Sequence, residues 1–446
     1  MRQFLPISAL LFGSALLIFA GGINALILPI RGSAEGFSAA SLGLLGTGWA
    51  VGYVLGCIFC PRLVGKVGHI RSFGVMAAFA AISVLFSLLY MQTWVWVPLR
   101  GLSGFCFAGA AMIVESWLSE RAEPESRGRI FGIYTMVNLL ASTGGQMSLA
   151  LGDTGGFTFF VFAAIFYCLA LVPLSISSSA TPKPLVSVRL DPGALWRNSP
   201  VAVVAVFCVG ISNSAFGTLS AVYADRVGLA LGSIALFASL PVLAGAISQV
   251  PIGMASDRLD RRKVLVAVAI AALLADLAFI LLQPEALTVN LLLAAAFGAT
   301  VFAMYPIIVA HANDHAPPGT GIQVSGGLLM IFGFGSIIGP TVAGFGMAQF
   351  GSFGLFLTTL VAHVLLICFT ILRIRTRAPV AEAEKGSFVV TPTGRGSTPE
   401  TAALAYGEGE NAPVEPAPVQ SGEEPQDRNT SDSAEPETKP AEEPKT

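Results

Sequence analysis

The sequence predicts an all-α integral membrane protein with twelve transmembrane helices in two pseudo-symmetric six-helix bundles. Three observations predict this class: the composition, the number of long apolar runs and an internal repeat. Of the 446 residues, 54% are hydrophobic and 12% are charged, whereas soluble domains carry about 25% charged residues. With a mean hydropathy of +0.73, this composition excludes a soluble enzyme, a nucleic-acid binder and a disordered protein.

Twelve apolar runs are long enough to be membrane-spanning helices. A helix needs about 20 apolar residues to cross about 30 Å of hydrocarbon. The runs are too long for the strands of a barrel, which need about ten residues, and helices satisfy their own backbone hydrogen bonds. The predicted spans are 6–30, 41–61, 72–91, 95–118, 129–150, 157–177, 200–223, 230–254, 264–283, 287–310, 322–347 and 352–372.

The basic residues predict the orientation, because loops that stay in the cytoplasm are rich in Lys and Arg. With the N-terminus inside, 17 basic residues before the tail fall on the cytoplasmic side and two, Arg31 and Arg226, fall outside. An even number of spans places the C-terminus inside as well. We therefore expect a multi-pass protein of the plasma (cytoplasmic or inner) membrane with both termini in the cytoplasm.

The connections divide the chain into four parts. Residues 1–177 and 200–377 form two six-helix bundles, and the longest connection between spans, 178–199, forms a cytoplasmic central loop. Residues 378–446 carry a net charge of −9, against +7 for residues 1–377. The tail is rich in Pro, Glu, Ser and Thr, a composition that predicts disorder. Its charge opposes the anionic inner leaflet, so we expect a passive cytoplasmic extension, with partner docking as the alternative.

An internal repeat relates the two halves. The chain reads P-R-L-V-G-K-V-G-H-I-R from Pro61 and G-M-A-S-D-R-L-D-R-R-K from Gly253, at an offset of 192. A second echo pairs G-G-I-N, ending at Asn24, with G-I-S-N, ending at Asn213. Glycine-rich stretches in the fifth and eleventh spans form a third pair.

These motifs resemble the major facilitator superfamily of secondary transporters over about residues 1–375. The loop G-x-x-x-D-R-x-x-R-R from Gly253 to Arg262 resembles that superfamily's loop signature, and R-x-x-x-G from Arg100 to Gly104 resembles its fourth-span signature. Segments such as G-H-I-R at 68–71 and H-A-N-D at 311–314 are similar to the YcaD-like branch. The first-half loop departs from the pattern, because Gly65 stands where the family usually has Asp.

The resemblance implies a conformational latch at the cytoplasmic ends of the helices. Asp257 would accept hydrogen bonds from the N-terminus of a neighbouring helix, and Asp314 is the expected partner of Arg261. The alternative is that these charges only set topology. The predicted latch residues are Gly253, Asp257, Arg258, Arg261, Arg262, Asp314, Gly68 and Arg71.

Charges inside a bilayer are costly and usually face a cavity or a partner. For Glu115 we expect a structural ion pair with Arg71 or Lys66, with proton carriage as the alternative. Arg100 could face the cavity, as the resemblance implies, or reach toward the outer headgroups.

Asp276 and His363 both fall near mid-membrane, at 1.5 Å of helix rise per residue. We predict a hydrogen bond between them across the ninth and twelfth spans, as a polar clamp or, alternatively, a proton relay. His311, near the inner end of the tenth span, could titrate near neutral pH or be a satisfied junction residue.

The cavity prediction centres on Asn24 and Asn213, because the resemblance implies that the first and seventh spans line a central cavity. Their amides offer donors and acceptors to a solute, although such residues also join helices to each other. The other predicted cavity residues are Gln146, Tyr223, Gln249 and Tyr305.

The resemblance therefore implies a secondary active transporter that moves a small solute by alternating access. We favour proton coupling, with Arg100, Glu115, Asp276, His363 or His311 as the candidate carriers. The alternatives are an uncoupled facilitator and a non-transporting membrane receptor or scaffold that signals through the tail. We expect no enzyme activity, catalytic residue, metal or cofactor. The expected partners are a small-molecule substrate, protons and the lipid bilayer, but no nucleic acid, and the expected state is a monomer.

Overall fold

A computed structural model describes most of the chain. The described residues are 4–121, 126–176, 185, 191–317, 319–376, 378, 380, 385–386, 388–389 and 397–401. Within these ranges the regular secondary structure is helical and contains no strand.

Helices occupy the positions of all twelve predicted spans. The first half contains α1 (Phe4–Ala34), α2 (Ala39–Val67), α3 (His69–Leu89), α4 (Thr93–Arg121), α5 (Arg127–Ser148), α6 (Thr158–Leu169) and α7 (Leu171–Ile176). A short helix, α8 (Pro192–Asn198), lies in the predicted central loop. The second half contains α9 (Pro200–Arg226), α10 (Leu231–Arg258), α11 (Arg261–Leu282), α12 (Leu287–Asn313), α13 (Gly321–Phe350) and α14 (Gly354–Thr376).

Eleven helical segments in the described part of the chain are long and apolar enough to cross a membrane. This result confirms the all-helical membrane fold. The exception among the twelve positions is α5, which is long enough but carries many polar and glycine residues. The sixth span consists of α6 and α7, separated at Ala170.

Short connections with strong capping residues separate the helices. Ser38 and Ser199 accept hydrogen bonds from backbone amides in the first turns of α2 and α9, and Asp260 does so at α11. Such side chains satisfy amides that lack partners inside the helix. Gly68 joins α2 to α3 with a φ of +92°, a conformation that favours glycine.

We call the two ends of the protein the basic end and the opposite end. The basic end holds the α2–α3, α4–α5, α10–α11 and α12–α13 connections and the end of α14. The opposite end holds the α1–α2, α3–α4, α5–α6, α9–α10, α11–α12 and α13–α14 connections. Most of the basic residues in the body of the chain lie at or near the basic end.

The two bundles repeat the same close helix contact. A Cβ added at Gly145 of α5 would lie 2.2 Å from the carbonyl oxygen of Phe19 in α1. A Cβ added at Gly335 of α13 would lie 2.2 Å from the carbonyl oxygen of Phe207 in α9. Equivalent glycines therefore bring equivalent helix pairs into backbone contact, which is the repeat that the sequence predicted.

The bundles contact each other directly toward the opposite end. The Ser33 hydroxyl at the end of α1 donates to Asp225 near the end of α9 at 2.8 Å. Thr47 of α2 bonds to Thr341 of α13 with 2.6 Å between the hydroxyl oxygens. Nearby, Gly43 packs against the backbone of Pro340. These contacts close the opposite end.

Part of the predicted disordered tail is ordered against the basic end. Residues 397–401 are buried, and residues 385–388 include atoms that bond to α10 and α11 and to the connections that flank them. These residues therefore do not extend away from the membrane as predicted. The prediction rested on the acidic charge of the tail, and most of that charge lies after position 401. Residues 402–446 lie outside the described part of the chain.

Candidate functional site

A central cavity of about 220 Å³ lies between the two bundles. The first bundle contributes walls from α1, α2, α4, α5 and α6, and the second contributes α9, α10 and α12. Its polar lining residues are Arg100, Ser103, Ser142, Gln146, Tyr167, Asn213, Thr218 and Ser220. Two of the predicted cavity residues, Gln146 and Asn213, therefore line it.

Arg100 supplies the positive charge of this cavity. The cavity lining contains no Asp or Glu, and among the described residues the Arg100 guanidinium makes no ion pair. Its residue surface is 8% exposed, and Tyr167 lines the same cavity. Arg100 therefore lines the cavity, which was one of its two predicted positions, the other being toward the outer headgroups. A buried cation in such surroundings is suited to bind an anionic or hydrogen-bond-accepting group.

Amide groups beside the cavity have unused hydrogen-bonding capacity. In the described structure, both amide atoms of Asn213 and the amide oxygen of Gln146 have no partner. The Asn24 amide donates weakly to Ser103 at 3.4 Å, and its oxygen has no partner among the described residues. Because buried polar atoms are normally hydrogen-bonded, these amides are suited to contact a polar solute.

The structure places the other four predicted cavity residues outside the cavity lining: Asn24, which bonds to the lining residue Ser103, and Tyr223, Gln249 and Tyr305. The Tyr223 hydroxyl donates to Asn290 at 3.2 Å, and its ring packs within an aromatic cluster in the second bundle. The Gln249 amide donates to the Phe302 carbonyl at 3.4 Å. The Tyr305 ring lies edge-on to Phe332, with 5.4 Å between the ring centroids.

Sequence reasoning missed an aromatic wall beside Arg100. Trp49 of α2 stacks on Tyr53 with 5.0 Å between ring centroids and lies 5.8 Å from Phe107 of α4. Trp49 and Phe107 line the cavity, together with Tyr167 of α6. Aromatic residues occur throughout the spans, so their type alone did not distinguish these four from packing residues.

Asp276 and His363 make the hydrogen bond that the sequence predicted. His363 Nδ1 and Asp276 Oδ2 are 2.7 Å apart, and both side chains are fully buried. Thr359 donates to Asp276 Oδ1 at 2.6 Å, and Ser212 Oγ lies 3.0 Å from His363 Nε2. This network joins α9, α11 and α14, and none of its four members lines the central cavity.

Arg261 is the centre of the predicted latch. Its Nε donates to Asp314 Oδ2 at 2.7 Å, the expected pair, and its NH1 donates to Asp257 at 3.0 Å. Instead of a helix N-terminus, Asp257 accepts the backbone amide of Phe388 at 3.1 Å. The Phe388 ring lies against Gly253, so the C-terminal segment completes this cluster.

Neighbouring latch residues take separate roles. Arg262 pairs with Asp260 at 2.8 Å. Burial raises the pKa of Asp260, but its hydrogen bonds and charge interaction with Arg262 outweigh burial, and the net pKa is below the usual value. The structure leaves Arg258 and Arg71 exposed on the surface of the basic end. His311 is buried and its ring lies 4.7 Å from that of His315.

Glu115 does not make the predicted ion pair with Arg71 or Lys66. Its carboxylate, 1% exposed, accepts hydrogen bonds from Tyr134 at 3.0 Å and Thr401 at 2.9 Å, and also from Thr398. The first-half loop lacks an acidic residue at position 65, and the carboxylate on α4 instead faces the interior of the bundle. The partners from the tail could not be anticipated from local spacing.

The described residues contain no group of three His, Cys, Asp or Glu side chains that could hold a metal ion. The cavity itself offers one cation, several amides and hydroxyls, and aromatic surfaces.

The sequence matches a known protein family. The family model described as Major Facilitator Superfamily matches residues 10–237 and 202–417. A protein of Yersinia enterocolitica named as an uncharacterized MFS-type transporter is 24% identical over 364 residues, 81% of this chain and 94% of that protein. The uncharacterized MFS-type transporter YcaD of Salmonella newport is 24% identical over 358 residues, 79% of this chain and 91% of that protein.

Two solved structures share the fold. A mutant of the nucleoside transporter NupG superposes with a TM-score of 0.68 and 14% identity, covering 83% of this chain and 100% of that chain. A bacterial homologue of the human lysosomal transporter Spinster superposes with a TM-score of 0.66 and 18% identity, covering 86% and 98%.

Proposed function

Because the chain belongs to the Major Facilitator Superfamily, we propose that it is a secondary transporter that carries a small solute across the membrane by alternating access. The observation that carries this proposal is the polar cavity between two bundles that meet at the opposite end. Rocking of the bundles would open the cavity first to one face and then to the other.

The lining of the cavity supports a small solute with an anionic or strongly accepting group. Arg100 has no carboxylate partner in the lining, so a solute carboxylate or carbonyl would replace water around it. A volume of about 220 Å³ is below the 300–1,000 Å³ of typical drug-sized pockets. The aromatic wall would hold the apolar part of the solute.

Glu115 is our candidate for the coupling proton. It is a buried carboxylate between the cavity and the basic end, where a proton could exchange as the bundles rock. Asp276 and His363 are less suited, because their network joins helices of the second bundle only, so rocking of the bundles would leave it unchanged. For those two we favour the structural clamp.

The sidedness follows from the charge distribution. We propose that the basic end faces the cytoplasm, since positive loops remain on that side, and that the chain works as a monomer in the inner membrane.

Solute uptake by purified full-length protein in proteoliposomes tests the proposal. The panel contains labelled small monocarboxylates, amino acids and, as neutral solutes of the type named for one fold neighbour, nucleosides. We expect uptake of an anionic or zwitterionic solute, driven by a pH gradient. Arg100→Ala should lower the initial rate at least about tenfold through loss of a charged hydrogen bond. Arg375→Ala, at an exposed arginine of α14, is the matched control and should match the unmodified protein.

Each other result identifies an alternative. Glu115→Gln should remove the dependence on the pH gradient while downhill exchange persists. Uptake that never depends on a pH gradient would support an uncoupled facilitator. If no solute of any charge class moves, either with the full-length protein or with a chain that ends at residue 384, the transporter proposal fails and a receptor or scaffold is favoured.

A further inference from the structure

We propose that the space between the bundles at the basic end is a binding site for part of the chain's own segment 385–401, namely its described residues 385–386, 388–389 and 397–401. The bound segment blocks the route between the central cavity and the basic end, so that the protein carries its own plug. Only the effect of the bound segment on transport rests on the proposed function. The binding of the segment can be tested without a solute.

The first bundle holds the end of the segment through three side-chain hydroxyls. Thr398 and Thr401 both donate to the same carboxylate oxygen of Glu115, the latter at 2.9 Å. The Tyr53 hydroxyl of α2 donates to the Ser397 carbonyl at 2.5 Å. These bonds tie the end of the segment to α2 and α4 of the first bundle.

The second bundle holds the beginning of the segment. Lys385 Nζ donates to the Leu259 carbonyl at 2.6 Å, and the Gly386 amide donates to Asp314 at 3.1 Å. The Phe388 amide donates to Asp257 at 3.1 Å. The segment therefore bonds to both bundles and joins the latch to Glu115.

The end of the segment is buried as deeply as the core of the bundle. Ser397, Thr398, Glu400 and Thr401 are 1–3% exposed, and Tyr53 and Glu115 of the first bundle bond to this stretch. Glu115 lies about six residues before the end of α4, so the plug reaches beyond the mouth of the basic end. Rocking that closes this end would require the segment to leave.

The charge pattern of the tail fits a plug followed by a solvated extension. Segment 385–401 contains Lys385, Arg395 and Glu400 as its charged residues, whereas residues 402–446 contain 11 acidic and three basic residues. The segment can enter the bundle because it carries little net charge, and burying the acidic stretch would be much more costly.

The covalent connection favours occupancy. From Thr376, where α14 ends, to Ser397 there are 21 residues, which span up to about 70 Å when extended. A covalent connection of this length gives an effective concentration in the millimolar range. Weak contacts are therefore sufficient to keep the site filled, and the loss of a few of them is sufficient to release the segment.

The native Cys57 provides the probe. It lies one turn from Tyr53 on α2 and is buried, whereas Cys168 and Cys368 are exposed. The experiment measures maleimide modification of each cysteine by mass spectrometry in the purified full-length protein, with the two exposed cysteines as internal references.

Removing the two hydroxyls should expose Cys57. We expect the double variant Thr398→Ala/Thr401→Ala to raise the rate of Cys57 modification about tenfold, because two hydrogen bonds to Glu115 are lost. The matched control, Thr430→Ala/Ser433→Ala, makes similar changes within residues 402–446 and should leave the rate unchanged.

Two further arms separate the plug from the rest of the tail. A chain ending at residue 401 should retain slow modification, and a chain ending at residue 384 should be modified rapidly. A synthetic peptide of residues 385–401, added at millimolar concentration to the shorter chain, should restore protection, and a scrambled peptide should not.

Equal Cys57 modification in all variants, with the reference cysteines unchanged, would overturn the proposal. If the chain ending at 384 does not remain monodisperse, the double alanine variant still decides. Once a transported solute is known, the double variant should move it faster than the full chain. Rapid Cys57 modification without any transport would support the plug and overturn only the transporter proposal.

Discussion

Asp276 and His363 form a hydrogen-bonded pair in which both side chains are 0% exposed. Thr359 satisfies the second carboxylate oxygen, and Ser212 satisfies the second ring nitrogen. Inside a bundle with little water, each unsatisfied polar atom is costly. The pair therefore fixes the relative positions of α9, α11 and α14 and leaves no lone buried charge.

Removing one member of this pair should destabilise the second bundle. We predict that Asp276→Ala lowers the stability by about 3 kcal/mol, because His363 and Thr359 lose a buried acceptor. Asp276→Asn should cost less, since its amide oxygen still accepts one hydrogen bond. Thermal unfolding in detergent measures both variants.

The exposed Asp153 in the α5–α6 connection offers a matched control, and Asp153→Ala should change the stability by less than about 0.5 kcal/mol. The clamp interpretation also predicts that Asp276→Asn keeps the pH dependence of transport. An unchanged melting temperature, or loss of that pH dependence, would contradict it.

At the scale of helices, glycines at crossing points determine how closely the elements pack. A Cβ at Gly52 of α2 would lie 1.8 Å from the Gly101 carbonyl oxygen of α4. In the second bundle, a Cβ at Gly298 of α12 would lie 2.2 Å from the Pro241 carbonyl oxygen of α10. In a membrane, such close backbone packing replaces the hydrophobic driving force between helices.

A single added methyl group should therefore separate α9 from α13. We predict that Gly335→Ala destabilises the protein by about 1–3 kcal/mol, the usual effect of overpacking, because the opposing atom is a backbone carbonyl. The control is Gly132→Ala in α5, where a Cβ would meet nothing within 4 Å. Melting temperatures of the two variants test this difference, and equal values would show that the helices can shift apart freely.

Sequence patterns predicted helices and short-range contacts well. Twelve apolar runs predicted the twelve helical positions, and Arg261 could be paired with Asp314 because both lie at the cytoplasmic ends of predicted spans. The partners of Glu115 could not be predicted, because Thr398 and Thr401 are 283 and 286 residues away within a stretch of polar composition. Similarly, Tyr223 has the right residue type for a cavity, but its helix face turns it into the aromatic cluster.

On the scale of the whole molecule, the structure consists of two bundles in contact with each other. The bundles meet at the opposite end through Ser33, Asp225, Thr47 and Thr341, and the C-terminal segment lies between them at the basic end. If the bundles rock as rigid bodies, the contacts at the opposite end must break when the segment leaves and the basic end closes.

The distance distribution between spin labels at the opposite end measures whether this end opens when the basic end closes. Labels at Asp153→Cys and Glu285→Cys occupy exposed connections of the two bundles, in a chain whose six native cysteines are replaced. A second pair, Arg62→Cys and Arg258→Cys, reports on the basic end. Alternating access predicts a second, longer distance at the opposite end. The fraction of molecules with this longer distance should increase together with the fraction that has a shorter distance at the basic end. A single distance at each end, insensitive to pH and to every solute in the panel, would contradict the account.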